Sequence, residues 1–280
     1  MNDLNKTKLI ECLDNNKIVY INLACGLGNR LFKIASAYGI SKSQNKLYAI
    51  NNDYTTHHNT PNLNYNETIF RNVPFKNIDE TVHHCIFYEQ EKNACKFLDI
   101  PNENFNLLLY GYFQNEKYFL NYKKDIYELF KMESKTKNYL TKKYQNLDTT
   151  YFLHVRRGDY TLDINDMHRI DFTKYYENCF KLFPEDAHFL IFSDEIDFCK
   201  NLEFLKNKNV SYVENENEVN SLYLMTLCNL GGIACNSTFS WWGGYLNENP
   251  DKKITFPDQW FKNDWNIDIY WENSIIVSTI

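Results

Sequence analysis

The 280-residue sequence lacks the signatures that mark many nucleotide- and metal-using enzymes. It has no Asp-x-Asp triad, so the metal-bridged form of a nucleotide-sugar site is not signalled. Gly-x-x-x-x-Gly-Lys-Ser/Thr, His-Glu-x-x-His and Gly-x-Ser-x-Gly are also missing, which argues against a P-loop NTPase, a zinc peptidase and an α/β-hydrolase. The eight cysteines form no Cys-x-x-Cys pair and show no zinc-like spacing with histidine. Runs such as Ile233-Ala-Cys235 suit reduced, buried thiols that act as small hydrophobes. A basic surplus is lacking too: 30 Lys and Arg face 36 Asp and Glu, for a net charge of -6. Nucleic acid is therefore not the expected partner, although one local cationic cluster can still hold a small anion.

No apolar run is long enough to span a bilayer, and the first residues lack the hydrophobic core of a signal peptide. The chain is expected to face the cytosol, with peripheral membrane contact and oligomeric state left open. Proline-rich linkers, low-complexity tracts and internal repeats are absent. Two closely packed lobes fit this better than tethered domains. Aromatic residues reach 16 %, with 21 Tyr and 20 Phe, alongside abundant Asn. Codon bias accounts for that excess as readily as sugar-stacking surfaces do.

What is present is an alternation of strands and helices. Lys17–Ala24 reads as a strand that ends at the turn Cys25-Gly-Leu-Gly28, and Asn29–Ser43 has helical spacing at Leu31, Ile34, Ala35 and Tyr38. Leu47–Ile50 reads as a second strand and Leu107–Tyr110 as a buried one. Residues 51–105 give no firm order beyond scattered apolar runs such as Cys85-Ile-Phe-Tyr88, and residues 115–145 suggest one or two surface helices. Further strands are expected at Tyr151–Val155, His188–Phe192, Val210–Val213, Gly232–Cys235 and Lys253–Phe256. Helices are expected near 172–182, 196–206, 217–229 and 239–248, with Asp171 capping the first and Ser237 or Thr238 the last. This pattern predicts doubly wound parallel sheets. The Lys-rich stretch 133–146 suggests lobes at 1–140 and 141–280.

Four polar segments each follow a strand: Ala24–Arg30, Arg156–Asp159, Ser193–Glu195 and Asn236–Ser240. In open α/β sheets the loops at the carboxyl ends of strands line the ligand crevice, so these four are expected to share one site. In His154-Val-Arg156-Arg157-Gly158-Asp159, His154 and Arg156 fall on one strand face, and the two arginines form a cationic corner suited to phosphate oxygens. A structural ion pair between Asp159 and an arginine is the competing reading. Gly26-Leu-Gly28-Asn29-Arg30 opens a helix whose amides can meet an anion, but Leu31 occupies the place of a third dinucleotide-binding glycine. In Ser193-Asp194-Glu195, an acidic side chain can accept the two N–H groups of guanine, or either of the first two residues can cap a helix. Asn236-Ser-Thr-Phe-Ser-Trp-Trp-Gly-Gly244 puts hydroxyls at a helix start and tryptophans into its packing.

Together these segments resemble the bacterial and animal α-1,2-fucosyltransferase family, in order and approximate spacing, over nearly the whole chain. His154–Asp159 and Asn236–Trp242 carry most of the likeness. The resemblance implies a GT-B-like α/β fold of two Rossmann-like lobes, the first on the acceptor side and the second binding the donor. It implies GDP-fucose as donor, a galactose-containing glycan as acceptor, and inversion without a metal or other cofactor. By position, Arg156 would stabilise the departing diphosphate, with Arg157 and Asp159 supporting it. His154 and Asp194 would read the guanine, while Asn236, Ser237, Thr238 and Ser240 would line the donor phosphates. Gly26, Gly28, Asn29 and Arg30 would form a turn near both substrates. Cys25, Arg30, Glu195 and the pair Gly243-Gly244 depart from the family pattern. Another GDP- or UDP-linked sugar, or a non-catalytic nucleotide- or glycan-binding protein, are the alternatives. A base is not assigned; Asp53, His57 and His58 are candidates with no motif behind them, and acceptor contacts are expected within 51–105.

Overall fold

A computed structural model describes residues 17–51, 64–78, 84–263, 265 and 267–280. The described chain forms two compact units, one reaching Phe130 and the other running from Lys131 to Ile280. The boundary read from the sequence, at 140/141, lies inside the helix Ser134–Lys143.

The first unit is built on β1 (Ile18–Ile21), α1 (Leu27–Ser43), β2 (Leu47–Ile50), β3 (His84–Tyr88), β4 (Asn106–Tyr110) and α2 (Lys123–Leu129). Its four strands are all parallel, in the order β2-β1-β4-β3. β1 is buried along its whole length, as a strand covered on both faces must be. β3 was not assigned from the sequence because its burial does not alternate cleanly: Ile86 and Tyr88 stay exposed on this edge strand.

The second unit begins with α3 (Ser134–Lys143) and β5 (Thr150–Val155). It continues through α4 (Thr173–Phe180), β6 (His188–Ser193), α5 (Ile196–Cys199), β7 (Val210–Tyr212) and α6 (Glu218–Leu227). β8 (Gly231–Ile233), α7 (Thr238–Tyr245), β9 (Lys253–Pro257) and β10 (Ile275–Val277) complete it. Its six strands are parallel, in the order β10-β9-β8-β5-β6-β7. Chain order reverses between β5 and β8, which makes that gap the switch point at the strands' carboxyl ends. In the first unit the corresponding gap lies between β1 and β4.

The expected helix over 196–206 is instead the short α5 and a separate 3₁₀ turn at Glu203–Leu205. Asn201 Nδ2 donates to the Asp197 carbonyl at 2.9 Å, which satisfies the end of α5, and Leu202 is extended. At the N-terminus of α4, Asp171 accepts from the Thr173 amide at 2.9 Å, and at α7 Ser237 is the N-cap. β10 and the two 3₁₀ turns over Gly158–Thr161 and Asp163–His168 were not anticipated. An aromatic core holds α7 to the sheet: Trp241 stacks on Tyr245 at 4.7 Å and meets Trp271 edge-on, and Trp271 meets Phe256 edge-on.

Cys25 has φ +66, in the left-handed region that a side chain with a Cβ occupies only under strain. Cys25→Gly should therefore stabilise the fold by about 1 kcal/mol, near the lower end of such strain energies. A thermal scan should show a rise of about 2–4 °C.

Candidate functional site

β5, β6 and β8 bring three of the four polar segments to the carboxyl edge of the second sheet. The fourth, Ala24–Arg30, follows β1 in the first unit.

Arg156 leaves the end of β5 with its guanidinium held from two sides. Nη2 donates to Asp159 Oδ1 at 2.5 Å, and Nη1 lies 2.9 Å from Asp194 Oδ2, contributed by the end of β6. The other Asp194 oxygen accepts from the Arg157 amide at 3.0 Å. Arg157 Nε donates to Glu195 Oε2 at 2.9 Å, and its guanidinium lies 3.5 Å from the Phe198 ring centroid. The corner is therefore not cationic, as its two arginines suggest, but pairs two guanidiniums with three carboxylates. Burial works against the Arg156 charge, yet Asp194 and Asp159 outweigh it and hold the group above its ordinary pKa. Gly158 makes this packing feasible: it has φ +28, and a Cβ there would lie 2.3 Å from Asp194 Oδ2.

His154 shares a strand face with Arg156 but sits in the core beneath it, 4 % exposed. Its Nδ1 lies 3.2 Å from Cys235 Sγ, and its carbonyl accepts from the Tyr176 hydroxyl at 2.8 Å. Burial, reinforced by the Arg156 charge, pushes the ring down to about 3, while burial pushes the Cys235 thiol up to about 12. The two meet as neutral partners. With His154 buried and both Asp194 oxygens engaged, neither presents a free edge to a base in this arrangement.

The hydroxyl-rich segment after β8 is mostly internal. Asn236 Nδ2 donates to the carbonyls of His168 and Trp260 at 3.0 and 3.1 Å, tying the 3₁₀ segment and the loop after β9 to the sheet. Ser237 Oγ accepts from the Phe239 amide at 3.3 Å. Ser240 is fully buried, with its Oγ between the Cys235 amide and the Ser237 carbonyl. Thr238 alone of these four is partly exposed, at the first turn of α7. Tyr160, which sequence reasoning passed over, donates to the Asn236 carbonyl at 3.2 Å, with its ring 5.4 Å from the Arg156 guanidinium and stacked on His168. Its place directly after the Gly-Asp pair was the only signal.

In the first unit, Gly26 is the N-cap of α1, and Gly28, Asn29 and Arg30 lie inside the helix rather than in the turn. Arg30 is fully buried, its Nε donating to the Cys25 carbonyl at 2.8 Å and its guanidinium 5.1 Å from the Tyr65 ring. It supports the turn from behind. Asn29 Oδ1 accepts from Gln114 Nε2 at 2.9 Å. Asp53, His57 and His58 lie outside the described residues. The seven described cysteines are all free thiols. Among the described residues no helix is long and apolar enough to cross a membrane.

Two all-parallel sheet units, with polar loops at the carboxyl ends of their strands, give a GT-B-like α/β fold. Residues 19–273 match glycosyl transferase family 11, and the chain belongs to that family. It is similar to an alpha-1,2-colitosyltransferase of Escherichia coli, with 27 % identity over 88 % of this chain and 93 % of that protein. It is also similar to the O-antigen biosynthesis glycosyltransferase WbnK of Escherichia coli, 32 % identical, spanning 62 % of this chain and 60 % of that protein. Its fold resembles that of the fucosyltransferase NodZ from Bradyrhizobium, with TM-score 0.50, 12 % identity, and coverage of 82 % and 92 % of the two chains. A point mutant of Arabidopsis thaliana FUT1 in complex with GDP is alike at TM-score 0.50 and 14 % identity, over 89 % of this chain and 74 % of that one.

The buried neutral imidazole has a pH consequence. The unfolded ring takes up a proton near 6.5 and the folded ring resists until about 3, so the unfolded state binds more protons between these values. Stability should fall as pH drops from about 6.5 toward 3. Denaturant titrations across that window should show a shallower decline for His154→Gln than for the wild type.

Proposed function

We propose that this glycosyltransferase moves L-fucose from GDP-fucose to a hydroxyl of a galactose-containing glycan, O2 of a terminal galactose being the favoured position, with inversion and without a metal or other cofactor. The observation that carries this reading is Arg156, fixed at the carboxyl end of β5 beside the switch point, with the N-terminus of α7 following the neighbouring strand β8. Charge grows on the departing GDP as the sugar–phosphate bond breaks, and a preorganised guanidinium stabilises it as it develops. The diphosphate replaces Asp194 at Nη1, which releases that carboxylate to accept from the guanine N–H groups. Asp159 keeps its grip on Nη2 throughout. Arg157 and Glu195 brace the loop, and Thr238 with the first amides of α7 takes phosphate oxygens. His154, Asn236, Ser237 and Ser240 hold the strand ends that carry these groups. The second unit is the donor lobe, and the first, with Gly26, Gly28, Asn29 and Arg30 around the start of α1, is the acceptor-side lobe. The whole works in the cytosol in this reading.

A second donor is favoured by one finding: the similarity to a colitosyltransferase extends over 88 % of this chain. GDP-colitose, also a deoxyhexose donor, fits the same diphosphate site.

Product-linkage analysis with GDP-fucose and GDP-colitose on galactose-terminated acceptors tests both donors. Arg156→Ala should lower kcat about 100- to 1,000-fold. Near-normal turnover in that variant contradicts the assigned role, and calorimetric binding of UDP but not GDP contradicts the guanine donor. Turnover should persist in EDTA.

A further inference from the structure

The donor site of the second unit, as described above, gives Tyr160 no role, although this side chain joins its two halves. Tyr160 lies in the 3₁₀ turn Gly158–Thr161 that follows β5. The Arg156 guanidinium carbon lies over its ring, 5.4 Å from the centroid and within reach of a cation–π contact. The Tyr160 hydroxyl donates at 3.2 Å to the carbonyl of Asn236, which lies between β8 and the Ser237 N-cap of α7. β5 and β8 are hydrogen-bonded neighbours at the switch point. One side chain therefore reaches from the arginine after β5 to the helix start after β8.

A closed cycle of three residues holds this link in place. Tyr160 donates to the Asn236 carbonyl, and Asn236 Nδ2 donates to the His168 carbonyl at 3.0 Å. The His168 ring then stacks back on Tyr160, with centroids 4.6 Å apart and 15° between the planes. Phe261 also packs on His168, at 5.1 Å. His168 Nδ1 is buried and has no hydrogen-bond partner among the described residues, so the imidazole acts here as a flat surface. Burial lowers its pKa against the pull of Asp159, which keeps the ring neutral. Burial raises the pKa of the Tyr160 hydroxyl, so that group stays protonated and donates its hydrogen bond. Asn165 Nδ2, donating to the Asp159 carbonyl at 2.9 Å, pins the turn itself.

We propose that Tyr160 is a positioning residue of the donor site: its ring and hydroxyl fix the Arg156 guanidinium relative to the N-terminus of α7, so that both meet one diphosphate. The assignment rests on the transferase reading above. Asp159 and Asp194 pair with two nitrogens of Arg156, but neither connects it to α7. Tyr160 makes that connection. A diphosphate held by a guanidinium at one point and by helix amides at another needs the two at a set separation. Donors fixed in advance also stabilise developing charge without rearranging as the bond breaks. Without its hydroxyl the ring would keep its contact with Arg156 but lose its hold on Asn236, and the two binding elements would relax independently.

The test is Tyr160→Phe, read by calorimetric titration with GDP and with GMP. GMP keeps the guanine and one phosphate but lacks the second, so the ratio of the two affinities isolates contacts to the diphosphate. The variant should bind GMP within about twofold of wild type and GDP about tenfold more weakly. With whichever GDP-sugar the wild type turns over, kcat should fall about 10- to 100-fold. The same change made in Arg156→Ala should cost less than about twofold in GDP affinity, because the residue it acts through is gone. A merely structural tyrosine would weaken GDP and GMP by the same factor, and in either background.

His168→Leu removes the stacked ring and keeps the Tyr160 hydroxyl, and it should lower the GDP-to-GMP affinity ratio in the same direction. It decides the matter if Tyr160→Phe does not fold. A ratio within about twofold of wild type in Tyr160→Phe, or in His168→Leu where that variant decides, overturns the positioning role and leaves the transferase reading intact. A wild type that binds GDP no more tightly than GMP, or that transfers from neither GDP-fucose nor GDP-colitose, overturns the donor reading and this assignment with it.

Discussion

A guanidinium partly withdrawn from water at the end of a parallel strand has to be compensated, and much of the second unit's carboxyl edge follows from that need. Arg156 is compensated by Asp159, three residues along its own chain, and by Asp194, delivered by β6. The first contact requires the chain to double back directly after β5, which the 3₁₀ turn at Gly158–Thr161 achieves. The second requires Asp194 to pass so close to Gly158 that no side chain fits there. Removing one carboxylate would leave a poorly compensated charge, which costs far more than an intact pair contributes. The corner is thus organised by its own carboxylates, with both sides of the Arg156 guanidinium already paired.

The two units use the same sheet logic with opposite charge arrangements. Each is an all-parallel sheet with a reversal of strand order, between β5 and β8 in one and between β1 and β4 in the other. At the first of these an arginine is held by carboxylates. At the second, a carboxylate is held by two backbone amides, with a lysine in its neighbourhood. A strand end can preorganise either sign of charge because the loop that follows it supplies whichever counter-groups are missing, from side chains in one case and from N–H groups in the other.

Much of the regular architecture was legible in the sequence, for a physical reason. Buried parallel strands appear as short apolar runs, and β1, β2, β5, β6 and β9 all have that form. β3 did not, because an edge strand with Ile86 and Tyr88 exposed lacks the contrast that a covered strand shows. β10, three residues long, is too short to stand out. The three clustered loops of the second unit were legible from their positions after strands, but the charge balance among them was not. Which carboxylate meets which arginine depends on register between β5 and β6, a nonlocal property. Hydroxyls at a helix start suggested ligand contacts, yet Ser240 turns inward to satisfy backbone groups. Glu89, whose Oε2 accepts from the amides of Tyr112 and Phe113, escaped because it follows the unassigned β3.

The aromatic core that fastens α7 to its sheet also divides the molecule spectroscopically. All five tryptophans, Trp241, Trp242, Trp260, Trp265 and Trp271, lie in the second unit, while the first has only tyrosine and phenylalanine rings. Light at 295 nm therefore excites one unit selectively. Trp241 and Trp242 sit in the first turns of the helix whose N-terminus faces the candidate site, so their emission is an intrinsic optical probe of that half of the protein.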